Sequence, residues 1–231
     1  MIQGLIFDKD GTLFDFRRSW GGWALSLLDE LADSPAQRAV LAEAIGFHPE
    51  TVDFAPHSPV IAATAPEIAA VMLPHLPGMG LQRLTDRMNA LAVDAPTVEA
   101  VPLRPLFTVL RGRGLKIGLA TNDTERPARA HLGNHAILDL FDFIAGYDSG
   151  YGGKPAPGQL QAFARQTGLD PARIAMVGDS RHDLEAGRAA GMVCVAVLTG
   201  VAGAAELAPH ADVVLPDIGG LPDWLDAFVP A

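Results

Sequence analysis

Short apolar runs recur along the chain, and most are followed by a polar or glycine-rich cluster. They cover residues 5–7, 116–120, 143–145, 174–177, 193–197 and 213–215. The runs are continuous rather than alternating, which is the pattern of strands buried on both faces of a parallel sheet. Between most of them lie stretches of helical periodicity long enough to cross from one parallel strand to the next. These are 102–113, with Leu103, Leu106, Phe107 and Leu110 on one face, then 125–132, 157–167 and 183–190. Alternating strand and helix predicts an α/β fold with a doubly wound parallel sheet. One region departs from this order. From 16 to 95 no strand pattern is found, whereas 20–31, 35–45, 66–73 and, more weakly, 81–91 read as helices. The pattern predicts a helical insert after the first strand, with hinges at 14–18 and 94–97. The expected division is a core of residues 1–15 and 97–231 and an insert of residues 16–96. An insert at that point overhangs the carboxyl ends of the strands, where open α/β sheets bind ligands.

The 231 residues suffice for one sizeable domain or a domain with an insert. Hydrophobic residues at 49% and charged residues at 19% describe an ordinary globular chain. A net charge of −10 argues against nucleic acid or an anionic membrane as partner. It leaves a small anionic substrate open, because one local cation outweighs a diffuse field. Cys194, the single cysteine, excludes an internal disulfide and a cysteine-based zinc site. It lies in an apolar run and reads as a buried strand residue. No basic leader followed by a long apolar stretch is found. No apolar run reaches the ~20 residues that span a bilayer. The most apolar stretch, 60–81, is broken by Pro66, Glu67, Pro74, His75 and Pro77. A cytoplasmic protein, monomeric or homodimeric, is the expectation.

Four polar clusters follow apolar runs or lie between them. They are Asp8-Lys9-Asp10-Gly11-Thr12, Thr121-Asn122-Asp123, Lys154-Pro155 and Gly178-Asp179-Ser180-Arg181-His182-Asp183. In a doubly wound sheet all four converge on one rim. Such a set suits phosphoryl transfer from a monoester. At ~3.5 Å and an effective dielectric of ~20, each unit-charge pair between a carboxylate and a phosphate dianion costs about 5 kcal/mol. A divalent cation held by Asp8, the backbone carbonyl of Asp10 and Asp179 would offset that repulsion, and all-oxygen ligands point to Mg²⁺. Lys154 adds a point charge on the phosphate. The Thr121 hydroxyl and the Asn122 N–H can donate to its oxygens. Asp8 is then the nucleophile. Asp10, two residues on, can protonate the leaving oxygen and later deprotonate the attacking water.

In order and strand context these clusters resemble the four motifs of the haloacid dehalogenase superfamily of phosphohydrolases. The resemblance spans the chain and implies a Rossmann-like core with an inserted helical cap of the C1 type. It implies Asp8 as nucleophile, Asp10 as general acid and base, Thr121 as phosphate-binding hydroxyl and Lys154 as the lysine of the third motif. Asp8, Asp10, Asp179 and Asp183 are the implied metal set, with Asp183 contacting metal-bound water or Lys154. Asn122 and Gly11, with Arg17 and Arg18 at the first hinge, complete the expected phosphate- and substrate-binding residues. Asp10-Gly11-Thr12-Leu13-Phe14-Asp15 and Lys154-Pro155-Ala156-Pro157 are most similar to the phosphoglycolate-phosphatase-like branch. The expected activity is Mg²⁺-dependent hydrolysis of a small phosphorylated metabolite, phosphoglycolate or a sugar phosphate. The alternatives are a phosphomutase or phosphotransferase on the same scaffold, or a regulatory protein that binds phosphate without turnover. Lys9, between the two aspartates, departs from the family's usual small or apolar residue.

Competing readings of single motifs fail on spacing. A calcium loop starting at Asp8 needs glycine at its sixth position, where the chain has Leu13. A Walker loop at Gly153-Lys154 needs glycine at 148 and Ser or Thr at 155, where Asp148 and Pro155 stand. The seven histidines show no metal-ligand spacing. Trp20 and Trp23 read as core residues before ligand contacts, and His57 as a loop residue.

Overall fold

The structure is a computed structural model that describes residues 1–228. Its first half runs β1 (Gly4–Phe7), α1 (Phe16–Leu31), α2 (Pro35–Ala44), β2 (Phe47–His48), β3 (Asp53–Phe54), α3 (Ala65–Met72), α4 (Leu81–Val93) and α5 (Leu103–Gly112). Its second half runs β4 (Lys116–Ala120), α6 (Glu125–Asn134), β5 (Phe143–Ala145), α7 (Gly158–Thr167), β6 (Ile174–Gly178), α8 (Arg181–Ala189), β7 (Val193–Val197), α9 (Ala204–Leu207), β8 (Val213–Leu215) and α10 (Leu221–Ala227). Six strands form one parallel sheet in the order β5-β4-β1-β6-β7-β8. The chain builds outward from β1 on one side, then returns to build outward on the other. The carboxyl ends of β1, β4 and β6 therefore flank the point where the order reverses.

The continuous apolar runs are explained by the two faces of this sheet. Leu5 and Phe7 of β1 join Ile117, Leu119, Ala175 and Val177 in one core, with Phe107 and Leu110 of α5. Ile6, pointing the other way, joins Ala120, Met176 and Phe163 of α7. A strand with helices on both faces leaves no position for a polar side chain until it ends.

Helices α1 to α4 share a separate apolar cluster built on Trp23, Leu27, Leu28, Leu41, Ile68, Met72, Leu84 and Met88. The segments joining this unit to the sheet run side by side. Asp15 N–H donates to Val98 O (2.8 Å) and Ala100 N–H to Leu13 O (2.9 Å). Two details differ from the sequence expectation. α1 begins at Phe16, four residues before the expected start, because the Asp15 carboxylate caps it by accepting from Arg18 N–H (3.0 Å). The segment 16–95 also holds one strand pair, β2 with β3. Each strand has two residues, too few to show a period, and Phe47 meets Phe54 across them at 4.9 Å between ring centroids.

Candidate active site

Three polar clusters begin at the ends of β1, β4 and β6, and Lys154 follows a glycine-rich loop after β5, so four loops place their side chains on one rim. Lys154 is the hub. Its Nζ donates to Asp8 Oδ1 (2.6 Å), Asp183 Oδ1 (2.6 Å) and Ala120 O (2.8 Å). Asp183 is held by helix geometry as well. Its Oδ2 accepts from Ser180 N–H (3.0 Å), and Ser180 Oγ accepts from Asp183 N–H, a capping box at the start of α8. Asp179 accepts from Thr12 Oγ1 (3.2 Å). A Cβ at Gly11, where φ is +86°, would run into the Asp179 carboxylate. That contact and that dihedral both restrict the position to glycine. Asp8, Thr121, Lys154, Asp179 and Asp183 are all more than nine-tenths buried.

Carboxylates outnumber cations here. Asp8, Asp179 and Asp183 each present an oxygen, all within 4.8 Å of one another, around the single ammonium of Lys154. Burial pushes the Asp8 carboxyl up to about 7 against the pull of Lys154, and the charges of Asp183 and Asp10 add to the rise. Burial likewise raises Asp179 well above the usual carboxylate range, with Asp8 and Asp183 adding to it. Burial disfavours the charge on Lys154, but Asp183 and Asp8 outweigh it and raise the ammonium above the ordinary lysine value. Three clustered carboxylates with one ammonium fit a hard divalent cation: the donors are all oxygen, and the surplus is negative. The side chain of Asp10 is not in this cluster.

Lys9 is buried behind the site rather than in solvent. Its Nζ lies 2.7 Å from Asp123 Oδ2, 3.1 Å from Asp10 Oδ2 and 3.1 Å from His131 Nδ1. An ammonium only donates, so His131 Nδ1 accepts and its Nε2–H donates to Ala92 O (2.8 Å) at the end of α4. Burial and the Lys9 charge push the His131 imidazole down to about 4. A histidine near 6.5 when unfolded and about 4 when folded contributes stability above pH 6.5, and that contribution is lost as pH falls toward 4. Between pH 7 and pH 5 the loss amounts to about 2 kcal/mol. His131→Gln keeps an acceptor and a donor without titrating. Urea unfolding at the two pH values should show the wild type losing that much more stability than the variant.

The remaining expected residues divide. Asn122 lines the site cavity, and its side chain ties three points together. Nδ2 donates to Ala62 O (2.8 Å) in the helical unit and to Lys154 O (2.9 Å), and Oδ1 accepts from Lys154 N–H (2.8 Å). Arg17 and Arg18 do not reach the cavity. They sit in the first turn of α1, where Phe16, Ser19 and Trp20 take the inward face, and they line a separate depression with Glu99 and Thr199. Arg17 pairs with Asp53 at 2.7 Å on the surface. The structure thus places both arginines, expected as substrate-binding residues, outside the cavity lined by Asp8 and Lys154.

Several contributors carry no sequence signal. Gln159 of α7 is fully buried and donates to Thr121 O (3.0 Å) and Gly152 O (2.9 Å), joining two site loops. Thr199 Oγ1 donates to Gly11 O (2.6 Å) across 188 positions of sequence. Trp20, Val60, Ile61, Ala62 and Ala63 form the side of the cavity belonging to the helical unit, opposite Asp8, Asp10, Thr121 and Lys154. The enclosed space is about 70 Å³. A larger cavity of about 360 Å³, lined by His57, Arg181 and His182, adjoins it at Asp179 and Ser180.

Residues 2–191 match the model of a family described as haloacid dehalogenase-like hydrolase. The phosphoglycolate phosphatase of Neisseria meningitidis is 28% identical over 231 residues, covering 99% of this chain and 94% of that protein. Among solved structures, a predicted phosphoglycolate phosphatase from Haemophilus somnus superposes with a TM-score of 0.75 at 18% identity, covering 97% of this chain and 98% of that one. A β-phosphoglucomutase from Clostridium difficile does so with a TM-score of 0.68 at 18% identity, covering 98% and 96%. At these identities the two structures speak for the fold alone. Among the described residues no helix is long and apolar enough to cross a membrane.

Proposed function

The chain belongs to the haloacid dehalogenase-like hydrolase family, and within it we propose that this protein is a phosphatase of small phosphomonoesters that works through an aspartyl-phosphate intermediate. The observation that carries this reading is the position of Lys154, whose ammonium bridges Asp8 and Asp183 beside the buried Asp179. Asp8 and Asp179, with the backbone carbonyl of Asp10, would hold Mg²⁺, and Asp183 stands beside them fixing Lys154. When bound, the cation supplies charge that offsets the repulsion between carboxylate and phosphate.

The chain's own groups do the rest. Lys154 neutralises one phosphate oxygen, while the Thr121 hydroxyl and the Asn122 N–H donate to others. Asp8 attacks phosphorus in line, and the bond from phosphorus to the leaving oxygen breaks. Asp10 gives that oxygen a proton. Asp10 Oδ2 is tied to Lys9, and Oδ1 has no partner among the described residues, so Oδ1 is the oxygen free to act. Water, deprotonated by Asp10, then attacks the acyl phosphate and restores Asp8.

Residues 16–96 act as the cap on a core of residues 1–15 and 97–231, closing the site against bulk water. The Asn122 bond to Ala62 O supports that assignment, because it fastens the helical unit to the catalytic loops. Asn122→Ala should lower kcat/KM by about tenfold to a hundredfold through loosened positioning. It should also cost about 1–3 kcal/mol of stability. Steady-state kinetics and urea unfolding measure the two effects.

The test of the activity is phosphate release from para-nitrophenyl phosphate and a panel of phosphorylated metabolites, with and without Mg²⁺. Release without any acceptor sugar is expected, and it excludes a phosphomutase. No release with any divalent metal would leave a phosphate-binding protein in place of an enzyme.

A further inference from the structure

Two residues that line the site cavity each carry a buried polar atom with no partner among the described residues: Asp10 Oδ1 and Trp20 Nε1. The first is accounted for by its role on the leaving oxygen. The second is not. An indole N–H can only donate, and buried donors are rarely left without an acceptor. The same helix offers a control three residues on, where Trp23 Nε1 donates to Met88 O (3.2 Å). The helical unit thus satisfies one of its paired indoles and leaves unsatisfied the other, which belongs to a residue lining the cavity.

The Trp20 ring is held on two sides. It meets Trp23 edge-on at 5.1 Å between centroids, and Lys9 Nζ lies 5.2 Å from its centre. The other cavity residues of the helical unit, Val60, Ile61, Ala62 and Ala63, carry no side-chain donor. Within this cavity, a hydrogen bond from a side chain of the helical unit comes from Trp20, whereas His57 of the same unit lines the adjoining cavity. The space around Asp8 and Lys154 is about 70 Å³, so a leaving group held there beside Trp20 is short, and a longer one would extend into the adjoining cavity of about 360 Å³.

We propose that Trp20 is a specificity-determining residue whose indole N–H donates to an oxygen acceptor, carboxylate or hydroxyl, on the short leaving group of the phosphomonoester. The inference rests on the phosphatase reading above and adds to it the chemistry of the alcohol released. The apolar neighbours of Trp20 on the helical unit supply shape without polarity, so that side of the cavity discriminates through this one donor.

Three esters of similar size separate the possibilities: phosphoglycolate carries a carboxylate, 2-hydroxyethyl phosphate a hydroxyl, and ethyl phosphate neither. With Mg²⁺ present, the wild type should prefer at least one acceptor-bearing ester to ethyl phosphate. In Trp20→Phe the ratio of kcat/KM for that ester to kcat/KM for ethyl phosphate should fall by about tenfold or more. The ester with the larger fall identifies the acceptor. A ratio unchanged within about twofold for both esters overturns the inference and leaves the phosphatase reading standing. Failure of the wild type to hydrolyse any of the three overturns both.

A second measurement is independent of turnover. In Asp8→Asn protein, the Trp20 indole proton, identified by its absence from Asp8→Asn carrying Trp20→Phe, should move downfield when the preferred ester is added with Mg²⁺. It should not do so with ethyl phosphate. An indole resonance that responds equally to all three esters, or to none, overturns the assignment.

Discussion

Asp8→Asn should abolish phosphate release, by at least about 10⁴-fold in kcat, while the protein stays folded. The variant keeps the shape of the side chain and an oxygen near Lys154, but an amide cannot form the acyl phosphate. Stability should move the other way. The Asp8 carboxyl is raised to about 7 in the folded protein, from an ordinary value of 3.8. The sign follows from where the proton is held more tightly. Below pH 3.8 the carboxyl is neutral in both states and costs nothing. As pH rises toward 7 the unfolded chain ionises freely while the folded site resists, so the metal-free wild type loses stability. Asparagine cannot ionise and escapes that loss. In EDTA, Asp8→Asn should therefore be more stable than the wild type at pH 8, by a margin on the order of 4 kcal/mol. The margin should shrink to near zero at pH 4. Urea unfolding across that range measures it. A variant that keeps a tenth of the wild-type rate would remove Asp8 as nucleophile. A margin independent of pH would mean that the site is not overcharged.

The same electrostatic logic explains what a single sequence discloses. The strands are legible because all but β8, a half-buried edge strand, are buried on both faces, which forces an unbroken apolar run and then an abrupt polar cluster where the strand leaves the sheet. Asp8, Thr121 and Asp179 are found by that transition, and Lys154 by its glycine-rich approach. Their convergence follows from parallel connectivity. What escapes the sequence is whatever depends on side-chain direction across long separations. Lys9 could point to solvent or to the interior on sequence alone. Only the fold places Asp10, Asp123 and His131 around it. Gln159 looks like any polar residue on a helix until Thr121 O and Gly152 O meet its amide. Arg17 and Arg18 invite a substrate role by their place at a hinge. One capping carboxylate, Asp15, starts the helix early and turns both outward, and the inward position passes to Trp20.

Lys154→Met should cost about 10²–10³-fold in kcat/KM through the lost positive charge on the phosphate. It should cost stability as well. The ammonium is raised above the ordinary lysine value, so its contribution is fully present from acid to mildly alkaline pH and is lost only beyond it. Replacing it with a buried thioether leaves Asp8 and Asp183, each 2.6 Å from the missing nitrogen, facing one another and Asp179 without a counter-charge. Breaking a buried pair from one side costs about 3–5 kcal/mol. In EDTA at pH 8 that full cost is expected in urea unfolding. At pH 5 the Asp8 carboxyl, already raised to about 7, takes up a proton and the penalty falls. Lys154→Arg should not restore activity. A planar fork of five donors does not fit a closed site shaped for one tetrahedral nitrogen between two carboxylates and the Ala120 carbonyl. Arginine that rescues both rate and stability would show that charge alone matters at this position. A methionine variant as stable as the wild type at pH 8 would mean that the three carboxylates do not repel across the site, and the case for a neutralising cation would lose its physical basis.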